Sequence, residues 1–296
     1  MRALPAAGLW WGALGVLAFS FTVPFTRVAT QGGLPPLFVG SGRAVGAVVL
    51  AAAALWATRQ PWPSRHTWRR LAVVAGGVVA GFPLMTSYAL TKVPASHSAV
   101  VIGLLPAATA AMAVLRGKER VARSFWLFAG LGAVVAIAFA ALQHGGPGGV
   151  HWADVLLLGA VLAAAIGYAE GGLLSRELGS WQTVSWALVA AAPIMLALLV
   201  VSLAHRPPAG GPEQWLAFAY LSCVSMFLGF FAWYRGLAIG PMAQVSQVQL
   251  VQPVITILWA GLLLHERVTP LTIGGGLAVI LCARAAVGAR LNRRGV

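Results

Sequence analysis

Apolar runs follow one another along almost the whole chain, each about the 20 residues that carry an α-helix across ~30 Å of hydrocarbon. Ten spans are expected, at residues 9–29, 35–57, 68–92, 95–115, 124–142, 153–174, 181–203, 213–237, 241–263 and 269–288. They do not alternate apolar and polar residues, as the strands of a membrane barrel must. Hydrophobic residues make up 59% of the chain and charged residues only 9%, against roughly 25% in soluble domains. So few charges cannot clothe a soluble surface, and the expected fold class is an all-α integral membrane protein with ten transmembrane helices. The first run is too long for the apolar core of a signal peptide and nine more follow, so it is read as an uncleaved span.

A net charge of +14 invites a nucleic-acid reading, but its placement argues for topology. Arg2, Arg59, Arg65, Arg69, Arg70, Arg116, Lys118, Arg120 and Arg123 fall before span 1 or beside the ends of spans 2 and 4. Arg176, Arg235 and the tail arginines continue the pattern after spans 6, 8 and 10. Basic loops are held back during insertion, so both termini are expected in the cytoplasm, with no nucleic-acid partner. Eighteen arginines against two lysines fit a GC-rich bacterial genome and hence an inner membrane. Many of the tryptophans sit at span ends, as an interfacial belt requires. Cys223 and Cys282 fall inside spans and read as small apolar core residues, with no disulfide.

Sliding the chain by 147 residues exposes an internal repeat. Gly12 lands on Gly159, Pro94 on Pro241, Pro106 on Pro253, and Glu119-Arg120-Val121 on Glu266-Arg267-Val268. Tyr88 and Tyr234 also correspond, after a one-residue gap. The unit holds five spans, an odd number, so the second copy must enter the membrane upside down. Inverted repeats of this kind build many secondary transporters, with the solute site near the midplane between the halves. The expected division is 1–144 for the first half, 145–152 for a Gly/Pro-rich linker, and 153–296 for the second half with its basic tail. The blander reading, a duplication that merely makes a stable bundle, stands beside it.

The stretch PVITILWAGLLLHERVTPLTIGGGLAVILCA (253–283) resembles the EamA repeat of the drug/metabolite transporter superfamily. Its partner PAATAAMAVLRGKERVARSFWLFAGLGAVVAIA (106–138) is similar but lacks the glycine cluster. The resemblance covers nearly the whole chain. It implies a ten-helix carrier, most like bacterial exporters of aromatic and other amino acids, and does not itself encode a substrate.

Polar residues inside the spans are the candidate site. Ser246, Gln249, Gln252 and Thr256 fall on one stripe of span 9, and membrane amides must face protein or water. Their mates in span 4 are Ala99, Ile102, Leu105 and Thr109, so the repeat relates a polar wall to a nearly apolar one. Such a cavity suits an amphipathic solute; alternatively, the amides tie helices together. Phe19, Tyr88, Tyr168 and Trp233 are the aromatic candidates for the same cavity. Glu170 is the one acid well inside a span, read either as a proton carrier or, more simply, as paired with a basic residue such as Arg235. Arg43 either grips a substrate carboxylate or, as the favoured structural role, holds helix-end carbonyls or pairs internally. Pro106 and Pro253 are hinge candidates, because each interrupts the helical ladder. Glu119, Arg120, Glu266 and Arg267 are expected to brace helix ends or latch gates. His97 is expected to be solvated at the outer interface.

No Walker loop or catalytic set is visible, and the six histidines and two cysteines lack metal-ligand spacing. No enzyme activity, cofactor or metal is expected. The reading is a monomeric alternating-access carrier that exports amino acids, by facilitation or proton exchange. Its rival is a carrier of other metabolites or cationic drugs, which would place an unpaired acid in the pocket.

Overall fold

The computed structural model describes residues 4–117, 123–143, 151–240, 245 and 248–291. Glu119, Arg120, Ser246 and residues 145–150 of the linker lie outside them. The described residues are helical, with no strand among them. Among the described residues, nine helices are long and apolar enough to cross a membrane: α1 Ala7–Gln31, α2 Pro36–Ala57, α3 Arg65–Ala89, α4 Ala95–Arg116, α5 Arg123–Leu142, α6 Trp152–Glu177, α7 Ser180–His205, α8 Pro212–Ile239 and α10 Pro270–Gly288. Between the last two lies a shorter apolar helix, α9 Gln249–Leu264. Every apolar run expected from the sequence is therefore matched by a helix.

Bonds between helix ends give the direction of each half. Arg27, late in α1, donates to the carbonyl of Leu90 at the end of α3. The chain then turns directly into α4, whose His97 meets Asp154 at the start of α6. Thus α1 finishes and its repeat mate α6 begins at one face, which is the inversion that an odd repeat unit demands. At the opposite face Arg70 of α3 and Arg116 of α4 meet Glu170 near the end of α6. Helix neighbours obey the same exchange of halves: α1 packs on α8 as α6 packs on α3, α2 pairs with α7, α5 with α10, and α4 with α9.

Glycines set how closely the halves approach. Gly8 and Gly12 of α1 lie against Gly236 and Gly240 of α8 so tightly that a Cβ built on Gly236 would stand 2.7 Å from the Gly12 nitrogen. The mated contact in α3 and α6 uses Gly77 and Gly167, where a Cβ on Gly77 would stand 2.4 Å from the Ala163 carbonyl oxygen. Helical periodicity taken back from Pro83 and Ser87 points to Gly76 for this role, but Gly76 faces open space. A π-helical turn over Ala75–Gly81 covers this contact. A second π turn covers Leu221–Leu228 of α8, at the same place in the repeat.

Helices α4 and α9 are both broken at equivalent points. The first α-helical segment of α4 runs Ala95–Ile102 and the helix resumes at Leu105, with Pro106 next. In α9 a 3-10 turn, Gln249–Val251, precedes Gln252 and Pro253. Proline supplies no N–H, so each break falls where the intrahelical ladder is already interrupted. Pro24 does the same in α1. The Ser20 carbonyl it leaves without an intrahelical donor accepts from Thr256 Oγ1 of α9 at 3.0 Å, and Trp259 Nε1 donates to Ser20 Oγ at 3.1 Å.

Replacing Gly236 by Ala drives a methyl into the α1 backbone and should cost about 1–3 kcal/mol, the usual range for overpacking. Gly130 meets nothing within 4 Å, so Gly130→Ala serves as the control and should leave stability level or slightly raised. Thermal unfolding in detergent separates the two, and equal melting temperatures would show that the α1–α8 crossing does not depend on close contact.

Candidate functional site

Where the halves meet, side chains from α1, α2, α3, α4, α6, α8 and α9 enclose a central cavity. Phe19 and Thr22 of α1, Arg43 of α2, Tyr168 of α6, Ser225 and Phe230 of α8, and Gln252 of α9 line it. Its volume is about 20 Å³, space for about one water-sized sphere. Beside it lies a smaller cavity of about 10 Å³, walled by Ala99, Ile102, Leu105 and Pro106 of α4 and by Gln249, Gln252, Pro253 and Thr256 of α9, with Val23 of α1. Gln252 and Leu105, mates in the repeat, border both. The halves are closed around these spaces, so a solute the size of an amino acid enters only when they move apart.

The aromatic group is compact. Phe19 lies 4.9 Å from Phe230 and 6.3 Å from Tyr168 between ring centroids, the latter pair stacked. The Tyr168 hydroxyl faces the Gln249 amide, although neither amide atom completes a hydrogen bond of good geometry. Trp233 is fully buried behind this group, 5.7 Å from Tyr168, with the backbone of α1 closing over it at Gly15. It packs the wall without lining the cavity. Tyr88, expected at the cavity, is 37% exposed and lies elsewhere.

Polarity is distributed unequally between the halves. Val78 and Ser225, mates within the two π turns, both line the central cavity. With Ile102 opposite Gln249 and Leu105 opposite Gln252, three pairs carry an aliphatic residue in the first half and a polar one in the second. Ser225 shares a 2.7 Å hydrogen bond with Thr22. Both amide atoms of Gln249 and Oε1 of Gln252 are buried with no hydrogen-bond partner among the described residues. An unmet buried polar group costs about 1–3 kcal/mol. Thr256 differs from its stripe-mates, since its hydroxyl is committed to Ser20.

The intramembrane charges divide into paired and unpaired. Glu170 is 2% exposed and is gripped by Arg70 and Arg116, with Arg70 also bonded to Glu177 at 2.7 Å. Arg235, its expected partner, instead lies 6.0 Å over the Trp11 ring. Arginine-rich ends are common in such chains, so span position alone does not select which guanidinium reaches Glu170. Arg43 is the reverse case. It is 1% exposed, and its Nε and one terminal nitrogen meet no acceptor among the described residues. The third guanidinium nitrogen makes a long 3.4 Å bond to Thr26 Oγ1. The expected helix-end carbonyls are not there.

At the other face, Glu266 accepts from the backbone N–H groups of Ala95 and Ser96 at 2.8 and 2.9 Å, and from Ser96 Oγ at 2.7 Å. It thereby holds the start of α4, while Arg267 is exposed. His97, expected in solvent, is buried with its Nε2 2.6 Å from Asp154 Oδ1 and its ring stacked on Phe139. Thr22, Ser225 and Phe230 were not singled out by sequence. For Ser225 the signal was available, as a serine standing where the first half has Val78.

The EamA-like transporter family matches the chain twice, over residues 6–141 and 151–286. A relative from Bacillus subtilis (strain 168), the uncharacterized transporter YdeK, is 44% identical over 275 residues, covering 93% of this chain and 95% of its own. A solved crystal structure shares the fold with a TM-score of 0.65 at 20% identity, over 98% of this chain and 99% of that one.

Removing Glu170 would leave two guanidiniums facing each other near the membrane end. Glu170→Gln should therefore destabilise by several kcal/mol, as removal of one member of a buried pair does. Arg116 is 38% exposed, and Arg116→Ala should cost about 1 kcal/mol or less. Thermal melts of both variants test this ranking, and the opposite order would remove Glu170 from the centre of the brace.

Proposed function

This chain belongs to the EamA-like transporter family, and from that premise we propose that it moves amino acids across the bacterial inner membrane by alternating access. The halves rock about the central cavity, which opens to each side in turn. Helices α4 and α9 bend at their matched breaks, with Pro106 and Pro253 as the hinge points. Both termini lie in the cytoplasm, at the face where Arg70 and Arg116 gather. A monomer is the working unit, with the lipid bilayer as its surroundings.

The observation that carries this reading is the pair of unlike walls. Among the described residues, the unpartnered amide of Gln249 and the unpartnered Oε1 of Gln252 face Ala99, Ile102 and Leu105 across a small cavity between the repeats. Unmet polar atoms at the centre of a membrane protein are retained where a solute supplies the missing bonds. An amino acid offers hydrogen-bonding groups at one end and an apolar body at the other, and Phe19, Tyr168 and Phe230 provide faces for that body. The rival reading, a cationic drug, finds less support. Glu170 is bound between two arginines, and no carboxylate lines the central cavity among the described residues. The same pairing favours Glu170 as a brace over a proton carrier.

Purified protein in liposomes should take up radiolabelled amino acids above the level of protein-free vesicles, and uptake at that background across the panel would end the amino-acid reading. Gln252→Leu, which copies Leu105 of the first half, should lower transport efficiency about tenfold or more, the equivalent of ~1.4 kcal/mol or more. The variant should remain folded. Unchanged transport in this variant would make the polar wall a helix–helix tie.

A further inference from the structure

Arg43 is the one group in the central cavity whose chemistry is incomplete in a way that names a ligand. A guanidinium offers five donors in a planar fork, stays charged, and is costly to bury without an anion. Here it is 1% exposed at the junction of α1, α2, α3, α6 and α8, and among the described residues two of its nitrogens meet no partner and no acid lines the cavity beside it. The acids that might have neutralised it are engaged elsewhere: Glu170 with Arg70 and Arg116, Glu266 with the start of α4, and Asp154 with His97. The remaining polar groups around the cavity, from Thr22, Tyr168, Ser225 and Gln252, are neutral.

We propose that Arg43 is the anchor for a carboxylate on the transported solute, which makes this site selective for carboxylate-bearing molecules with an apolar or aromatic body. This rests on the reading of the central cavity as the solute site. The carboxylate takes the fork of Arg43, and the body lies against Phe19, Tyr168 and Phe230. The Gln252 amide and the Ser225 hydroxyl meet whatever polar group the solute carries beyond its carboxylate. A site built this way binds an acid and rejects the same molecule with the acid masked, because masking leaves the buried guanidinium unpaired.

Three probes isolate the anchor: 3-phenylpropionate, with a carboxylate and no ammonium; L-phenylalanine, with both; and L-phenylalaninamide, with no carboxylate. In thermal-shift titrations of the purified protein, the first two should raise the melting temperature and the amide should not. Arg43→Gln should weaken binding of both carboxylates by about 10- to 100-fold, the range for a charged hydrogen-bonded contact. Arg43→Lys keeps a charge without the fork and should fall between. Ligand-free Arg43→Gln should melt at the same temperature as the parent or higher, since an unpaired buried charge is removed. A fall would mark Arg43 as structural and overturn the proposal. So would equal stabilisation by the amide, undiminished carboxylate binding in Arg43→Gln, or no response to either carboxylate. Carboxylate binding that depends on Arg43, in a protein that moves no amino acid into liposomes, would retire the amino-acid reading and leave the anchor standing. Amino-acid transport equal in parent and Arg43→Gln would do the reverse.

Discussion

A peptide N–H or C=O in hydrocarbon has no solvent to fall back on, and each departure from the α-helix must find its partners inside the protein. The architecture can be followed from where this chain departs. The π turns of α3 and α8, the breaks of α4 and α9, and the interruption of α1 at Pro24 are all packed between the halves or border the cavities. None could be tolerated facing lipid. The Ser20 carbonyl shows the rule at one atom, since the donor it lacks because of Pro24 is replaced by Thr256 from the other repeat. Irregular backbone thus concentrates around the central cavities, and glycine contacts between α1 and α8 and between α3 and α6 hold the halves close together.

Charge follows a parallel logic. Near the helix ends, acids and bases are matched: Glu170 and Glu177 with Arg70 and Arg116, Asp154 with His97, and Glu266 with the amides that open α4. These contacts join helices that must move relative to one another if the cavity is to open. Each face therefore carries polar bonds that can be exchanged for water when that side opens, which is cheaper than separating packed hydrocarbon. Toward the centre, the buried guanidinium of Arg43 has no carboxylate beside it among the described residues.

Much of this architecture was legible in the sequence because lipid forces a coarse, readable pattern. Span length and odd repeat parity lead directly to ten helices in inverted halves. The glutamines of α9 stood out for the same reason, polar side chains being rare in such a background. What escaped was whatever depends on facing and on distant partners. Helical period pointed to Gly76 for close packing where Gly77 makes the contact, and Tyr88, an aromatic candidate for the cavity, is 37% exposed. Glu170 finds its arginines 54 and 100 residues away, a choice no local spacing encodes. His97 looked like an interfacial residue because Asp154, its partner, belongs to the next half. Arg43 was assigned a structural role, on helix-end carbonyls or in an internal pair, because depth in a helix says nothing about which acceptors its fork will meet.

The unlike walls of the cavity carry one more consequence. In a carrier made of two identical inverted halves, exchanging their conformations converts the inward-open form into the outward-open form, so the two would be equally populated. Here Ser225, Gln249 and Gln252 answer to Val78, Ile102 and Leu105, and that equivalence is broken. In the proposed mechanism, the polar residues that bind the solute also give the unloaded protein a preferred resting orientation, and a ligand shifts that balance only by its differential affinity for the two forms. Duplication would then supply the motion, and divergence decide where the molecule waits.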